Sequence, residues 1–404
     1  MSRFVAACAV CGAASSATVL PVPVLSVARC RTSRVTVRLT WPQVLGWRLE
    51  RQLVAPAAGS DPVAIARRLC GVQAQVASSA ELALAVRSAA PRPGAVDEAL
   101  WEDRTLVRTW LMRGTLHLVP ADELPVYCAT LGSLPFWEKG SWQRGHGVTA
   151  ADVETIIGAV PQALKGRSLT RDELVEAVID LTGAAHLREA LTSGWGALLK
   201  PVSFLGELCQ GPARDGRVTF ARPADRVPGW PGALPSVEEG GRSLVRAFLG
   251  AHGPATPAMF DIWLLRGAAR KATLRGWFHD LGPELAEVEV DGVPMFALAE
   301  HLDALAAARP SEDVHLLPGF DQYVLGAPRD LTALLPAAAR AKVSRAAGWI
   351  SPVVVYRGRV AGVWEARDGR LTADLVEPVP GEPLRAAAER IAALLGGPLE
   401  VAVG

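Results

Sequence analysis

Apolar positions recur at helical spacing over residues 41–54, and the pattern stops at Pro56. After the small-residue loop 57–60, Asp61-Pro62 supplies an N-cap followed by proline at the first helical position, predicting a helix over 63–70 that Gly71 interrupts. Ser78 or Ser79 caps a third helix, 81–88, and beyond the break at Pro91-Arg92-Pro93-Gly94 a short helix covers 96–101. Residues 105–119 then read as two short strands folding on Arg113-Gly114. Helices followed by a hairpin is the order of a winged helix-turn-helix.

That order recurs. A helix over 152–164, a second opened by the capping box of Thr170 and Glu173 and running to 181, and a third over 188–199 precede strands 204–209 and 217–221, joined across 211–216. A Pro/Gly-rich linker, 223–235, closes this unit. The third copy has helices 243–249 and 258–265, a helical stretch within 267–278, and strands 285–290 and 293–298 paired across Asp291-Gly292. Asp-Gly between two β-rich runs is a strong hairpin signal. After a polar helix, 301–309, strands at 314–317, 349–356, 359–366, 371–376 and 399–403, with one helix at 383–395, describe a β-rich, barrel-like unit. The expected fold class is α+β: three tandem winged helix-turn-helix units (37–150, 151–235 and 236–310) and a C-terminal β-rich unit (311–404).

Residues 1–36 read as a disordered extension or a misplaced start. Arg3 and the apolar run 4–14 faintly resemble a signal peptide, but cysteine interrupts the run, Pro21 and Pro23 follow, and nothing downstream looks secreted. No other stretch approaches the roughly 20 apolar residues of a membrane span. Cys8 and Cys11 form a CxxC without a second ligand pair, so the six cysteines predict a reducing cytoplasm and no structural metal.

A chain of 404 residues, 50% hydrophobic and 21% charged, can bury a sizeable core. Its net charge of +1 supplies no global attraction for a polyanion, so a nucleic-acid role must rest on local patches. There are three. Arg266, Arg270, Lys271 and Arg275 fall in the third helix of the third repeat without an intervening acid; Arg340, Lys342, Arg345, Arg357 and Arg359 are opposed locally only by Glu365 and Asp368; Arg104, Arg108 and Arg113 mark the first hairpin. Each alone reads as a solvated face. Together, on wing or recognition elements, they read as phosphate contacts.

Enzyme templates mostly fail: there is no Walker loop, GxSxG elbow or HExxH, and the seven histidines lack ligand spacing. Gln73 and Gln75, just after Gly71, would ordinarily be solvent-facing residues of an Ala-rich helix.

Combined, however, Gly-Val-Gln-Ala-Gln at 71–75, Val-Arg-Thr-Trp-Leu-Met-Arg-Gly-Thr-Leu-His-Leu-Val at 107–119, Gly-Pro-Ala-Thr-Pro at 253–257 with Phe260-Asp261-Ile262-Trp263, and Leu-Leu-Pro-Gly-Phe-Asp-Gln-Tyr at 316–323 resemble the winged-helix DNA-binding family that includes the AlkZ-type DNA glycosylases. The resemblance runs from about residue 37 to the end. It implies tandem winged helices in a C-shaped arrangement and a monofunctional glycosylase that excises N7-alkylguanine and unhooks interstrand crosslinks. The family's catalytic motif is glutamine, an apolar residue, then glutamine or aspartate. Glutamine at both Gln73 and Gln75 resembles the branch associated with self-resistance to azinomycin-like crosslinkers.

The resemblance thus implies catalytic roles for Gln73 and Gln75, double-stranded DNA with an alkylated guanine as partner, and action as a cytoplasmic monomer without metal or cofactor. On a regular helix the two glutamines would point about 200° apart, so their joint use predicts a distortion at 71–75. His117 and Arg113 are candidates for contact with the DNA backbone or lesion; a histidine facing the core is the equal alternative. Asp321 reads as a structural turn residue, and Trp110, Trp263 and Trp364 as core. The competing functional reading is a non-catalytic winged-helix DNA-binding or transcription-regulatory protein.

Overall fold

Several helix starts fall where a side chain satisfies one of the first free backbone N–H groups. In the computed structural model, which describes residues 37–192 and 196–403, Asp61 accepts from the Ala64 N–H to open Pro62–Arg68, and Thr149, Thr170, Ser236 and Thr256 open their helices in the same way. Readings made for residues 1–36, including Cys8, Cys11 and Cys30, lie outside the described residues.

The chain is a mixed α+β structure. Among the described residues, three three-stranded sheets follow groups of helices, and a five-stranded sheet occupies the C-terminal region. The first joins Val72–Gln73, Leu116–Pro120 and Leu106–Trp110, and the second joins Leu169–Thr170, Arg217–Ala221 and Cys209–Arg214. In the third, Leu285–Val290 and Val293–Leu298 form the hairpin expected at Asp291-Gly292. Val37–Leu39 adds to it in parallel, pairing with Val288, Glu289 and Val290. The expected boundary at 37 therefore does not isolate the first unit.

Packing crosses the other boundaries as well. One core runs from Cys70 through Trp110, Phe204 and Trp263 to Leu298, whereas Leu45 and Leu49 of helix Trp41–Arg51 pack with the C-terminal sheet. Between these regions Arg87 and Asp321, both fully buried, form a two-pronged ion pair at 2.7 and 2.8 Å, and Asp321 also accepts from the Tyr323 N–H. Asp321 is structural, as expected, though it acts across the core as well as in its turn. Trp110, Trp263 and Trp364 are core residues. Cys70, Cys128 and Cys209 are buried free thiols.

Several elements differ from expectation. The helix placed at 81–88 is Ala77–Ala85, so Ser78 and Ser79 lie inside its first turn rather than capping it. The helix placed at 188–199 is broken into Leu187–Thr192, a tight turn Ala197–Leu199 and Lys200–Phe204, with left-handed Gly196 and helix-opening Pro201 at the break. A Cβ on Gly196 would stand 2.6 Å from the Trp110 ring. Residue 204 thus ends a helix, and the strand begins at Cys209. Helix Val237–His252 starts well before 243 because Gly240 and Gly241, which hide the apolar period, allow close approach of Thr130 and Trp277.

Among the described residues, the first and last strands of the C-terminal sheet do not pair with each other. Its strands Val314–Leu317, Val353–Tyr356, Arg359–Arg367, Arg370–Leu375 and Glu400–Val403 lie in chain order, and the last pairs in parallel with its neighbour. A parallel neighbour needs a crossover. Helix Gly381–Leu394 provides it, leaving the first and last strands as edges.

Candidate active site and nucleic-acid interface

The first half of the glutamine motif, Val72–Gln73, is extended chain, and Gln75 sits in the bend that follows it. Helix Pro62–Arg68 ends at Leu69, and Cys70 and Gly71 then take left-handed conformations, φ 58° and 87°, which turn the backbone out of the helix. Val72–Gln73 pairs antiparallel with the second hairpin strand, Val72 opposite Leu118 and Gln73 opposite His117. The expected distortion is thus a complete change of state. What brings the two amides to one hairpin is the strand pairing at Val72–Gln73 and the bend at Gln75, not helical spacing.

Both amides are anchored by the same hairpin. Arg113 Nη2 donates to Gln73 Oε1 at 3.1 Å, and the Leu116 N–H donates to Gln75 Oε1 at 3.3 Å. Guanidinium and backbone N–H groups can only donate, so in each case the atom facing them is the amide oxygen. Ala74 between them has its N–H on the Leu116 carbonyl at 2.7 Å and its carbonyl on Arg108 Nη2 at 2.8 Å. Gln73 is 5% exposed, contrary to the ordinary expectation for a glutamine.

Arg113 is itself in a left-handed conformation, φ 59°, at the hairpin tip. Its Nη1 donates to the Trp263 carbonyl at 2.6 Å, in the last turn of helix Pro257–Leu265, where unpaired carbonyls attract a cation. Burial, then the charges of Arg266 and Arg329, push its guanidinium down to about 9, so it stays charged at neutral pH.

His117 is fully buried. Its Nδ1 lies 2.9 Å from the Thr115 carbonyl and must carry the proton, which leaves Nε2 as the acceptor facing Arg113 Nη2 at 3.4 Å. Burial, then Arg113, push its pKa down to about 3. His117 is the core histidine of the two readings, and Arg108 and Arg113 are committed to internal contacts.

The other expected cations divide. Arg266 caps the C-terminus of Pro257–Leu265 and Arg270 precedes Lys271–Asp280, so only Lys271 and Arg275 lie in the expected helix; Gly267, left-handed, separates the two helices. All four are exposed, and among the described residues none forms an ion pair. Arg357 and Arg359 do: Arg357 Nε lies 2.8 Å from Glu312 and Arg359 Nη2 3.0 Å from Glu377. Lys342 likewise pairs with Asp374 at 2.5 Å. The second basic cluster is largely neutralised by acids distant in sequence.

Arg113, Arg266 and Arg270 line a cleft of about 610 Å³ together with Lys139, Trp142, His146 and Lys200. The last four were not singled out in the sequence. The alternation of aromatic and basic residues from 136 to 146 was the available signal, but Lys200 enters from a separate helix.

The family profile described as DNA glycosylase AlkZ-like matches residues 66–397. The chain belongs to the AlkZ-like DNA glycosylase family. This AlkZ-like chain is 44% identical over 344 residues to the interstrand DNA cross-link repair glycosylase of Streptomyces sahachiroi, covering 85% of this chain and 92% of that protein. It matches the solved Streptomyces sahachiroi DNA glycosylase AlkZ with a TM-score of 0.87 at 42% identity, over 91% of this chain and 100% of the other. Membership in a glycosylase family disfavours the purely regulatory alternative.

Proposed function

We propose that this AlkZ-like glycosylase acts as a monomer on double-stranded DNA in the cytoplasm, hydrolysing the N-glycosidic bond of N7-alkylguanine, including guanines held in interstrand crosslinks. The relative named for interstrand crosslink repair supports the crosslink substrate. The three helix-and-sheet groups serve as winged helices, with Arg266, Arg270, Lys271 and Arg275 on the phosphate backbone.

The carrying observation is the shared anchoring of the Gln73 and Gln75 oxygens by one hairpin. Alkylation at N7 makes guanine cationic, so cleavage of the C1′–N9 bond releases a neutral base and requires no strong general acid. What the site must supply is a water directed at C1′ and negative dipole density for an oxocarbenium-like sugar. Each amide oxygen has one donor partner and a second lone pair free to accept from that water. Gln75 positions the water and Gln73 orients it or the sugar. Arg113 acts through Gln73, since a guanidinium beside a cationic sugar would oppose the charge that develops.

The test is release of N7-methylguanine, and of a crosslinked guanine, from duplex DNA in EDTA by wild type and Gln75→Ala. Release by wild type, with loss in the variant and DNA binding retained, supports the proposal. No release by wild type from either substrate overturns it; dependence on added metal overturns its metal-free form.

A further inference from the structure

The cleft beside Arg113 combines two features that the hydrolytic step does not use. Its cations are gathered on one lining. Lys139, Lys200, Arg266 and Arg270 form no ion pair among the described residues, and Glu138 is the one acid on the described lining. Burial, then Arg266, lower the Lys200 ammonium below its ordinary value, and Arg266 also acts on Arg113. Holding these like charges together is unfavourable until an anion enters.

The second feature is an aromatic shelf. Trp142 meets Phe136 edge-on at 5.7 Å, and the His146 ring lies over it at 4.3 Å with 32° between the planes. The His146 Nδ1 contact to the Trp142 carbonyl, at 2.8 Å, holds the pair together. His146 is exposed, so the stack can take one more planar ring. The cleft volume lies in the range of small-ligand pockets, about 300–1,000 Å³, and is far too small for a duplex. A base inside a duplex offers no free face for stacking, whereas an unpaired one does.

We propose that this cleft is a nucleotide subsite that receives one unpaired nucleotide of the DNA, its phosphate on Lys200 and Arg266 and its base on the Trp142–His146 pair. The assignment rests on the glycosylase reading for its choice of DNA. Arg113 lines the cleft and holds Gln73, so the displaced nucleotide is a neighbour of the reacting guanine. Displacement of such a neighbour opens room around a crosslinked base that cannot itself rotate out of the helix.

The experiment compares binding of a fluorescein-labelled intact duplex with the same duplex carrying a single-nucleotide bulge, by anisotropy at several salt concentrations. Wild type is expected to bind the bulged DNA about tenfold more tightly, the scale of one base–aromatic stack. The Trp142→Ala/His146→Ala double variant loses that ratio, and His146→Phe keeps it. Lys200→Gln, which leaves the shelf intact, weakens bulge binding more than duplex binding and lowers its salt slope by about one. A wild-type ratio near one, or an unchanged ratio in both the double variant and Lys200→Gln, overturns the subsite. Base release from N7-methylguanine duplex, measured on the same preparations, separately decides the reaction.

Discussion

Arg113 Nη2 stands 3.1 Å from Gln73 Oε1 while the same guanidinium holds the Trp263 carbonyl, so one side chain ties the glutamine motif to a helix of the third unit. Arg113→Ala is expected to lower kcat for base release by roughly 10- to 100-fold, with a smaller change in KM, as for a misplaced positioning contact. Arg113→Lys will not restore it, because an ammonium cannot reproduce the fixed fork of a guanidinium. Single-turnover kinetics on an N7-methylguanine duplex separate the two parameters; unchanged kcat in Arg113→Ala would exclude the positioning role.

Gly71 combines φ 87° with close packing, since a Cβ there would lie 3.1 Å from both Met112 Cε and Val119 Cγ1. Gly71→Ala should cost about 1–2 kcal/mol from backbone strain alone and reduce activity by shifting Gln73. Urea unfolding together with the base-release rate checks both effects. A variant with wild-type stability and rate would show that the turn tolerates a side chain.

Exposed, unpaired cations should matter to DNA and paired ones should not. Arg270→Ala and Lys271→Ala are expected to weaken duplex binding and to lower the salt slope by about one each. Arg357→Ala and Arg359→Ala, which remove partners of Glu312 and Glu377, should leave that slope nearly unchanged. Titrations at several salt concentrations decide it, and the reverse ranking would place the DNA on the C-terminal sheet.

The fully buried Arg87–Asp321 pair predicts a pronounced asymmetry. Asp321→Ala strands a guanidinium in the core and should destabilise by about 3–5 kcal/mol. Arg87→Met/Asp321→Leu should recover part of that loss. Denaturant midpoints of the three proteins test this; a double variant no better than the single would show that the pair's hydrogen bonds, and not the stranded charge, dominate.

His117 and His252 are both buried, with pKa values pushed from the ordinary 6.5 to about 3, chiefly by burial. Protonation therefore favours the unfolded chain. Their contribution is intact above pH 6.5 and declines as the pH falls from there toward 3, by about 1.4 kcal/mol per pH unit for each histidine. His117→Asn should reduce the slope of stability against pH by about one proton. Unfolding midpoints between pH 7.5 and 5 measure it, and an unchanged slope would contradict the assignment.

Local chemistry was legible in the sequence. Asp61-Pro62, the Thr170–Glu173 box and Asp291-Gly292 act over a few residues, and each stands where expected. The strand Val72–Gln73 was not legible, because it exists only by pairing with Leu116–Pro120. The same holds for the acids that neutralise Arg357 and Arg359 and for the cleft that Lys200 and Trp142 both line: each depends on segments brought together by the tertiary fold. The glutamines were identifiable through family resemblance, whereas the strand that carries Gln73 required the hairpin.

The three described cysteines carry a consequence for an enzyme proposed to meet DNA-alkylating electrophiles. Burial pushes the Cys70 and Cys209 thiols up to about 12 and Cys128 higher still. At neutral pH these thiols are therefore held in the protonated, weakly nucleophilic form. Cys70 directly precedes the glutamine turn, yet it offers an electrophile neither charge nor access. Among the described residues, the fold thus insulates its thiols from the class of reagent whose damage it would remove.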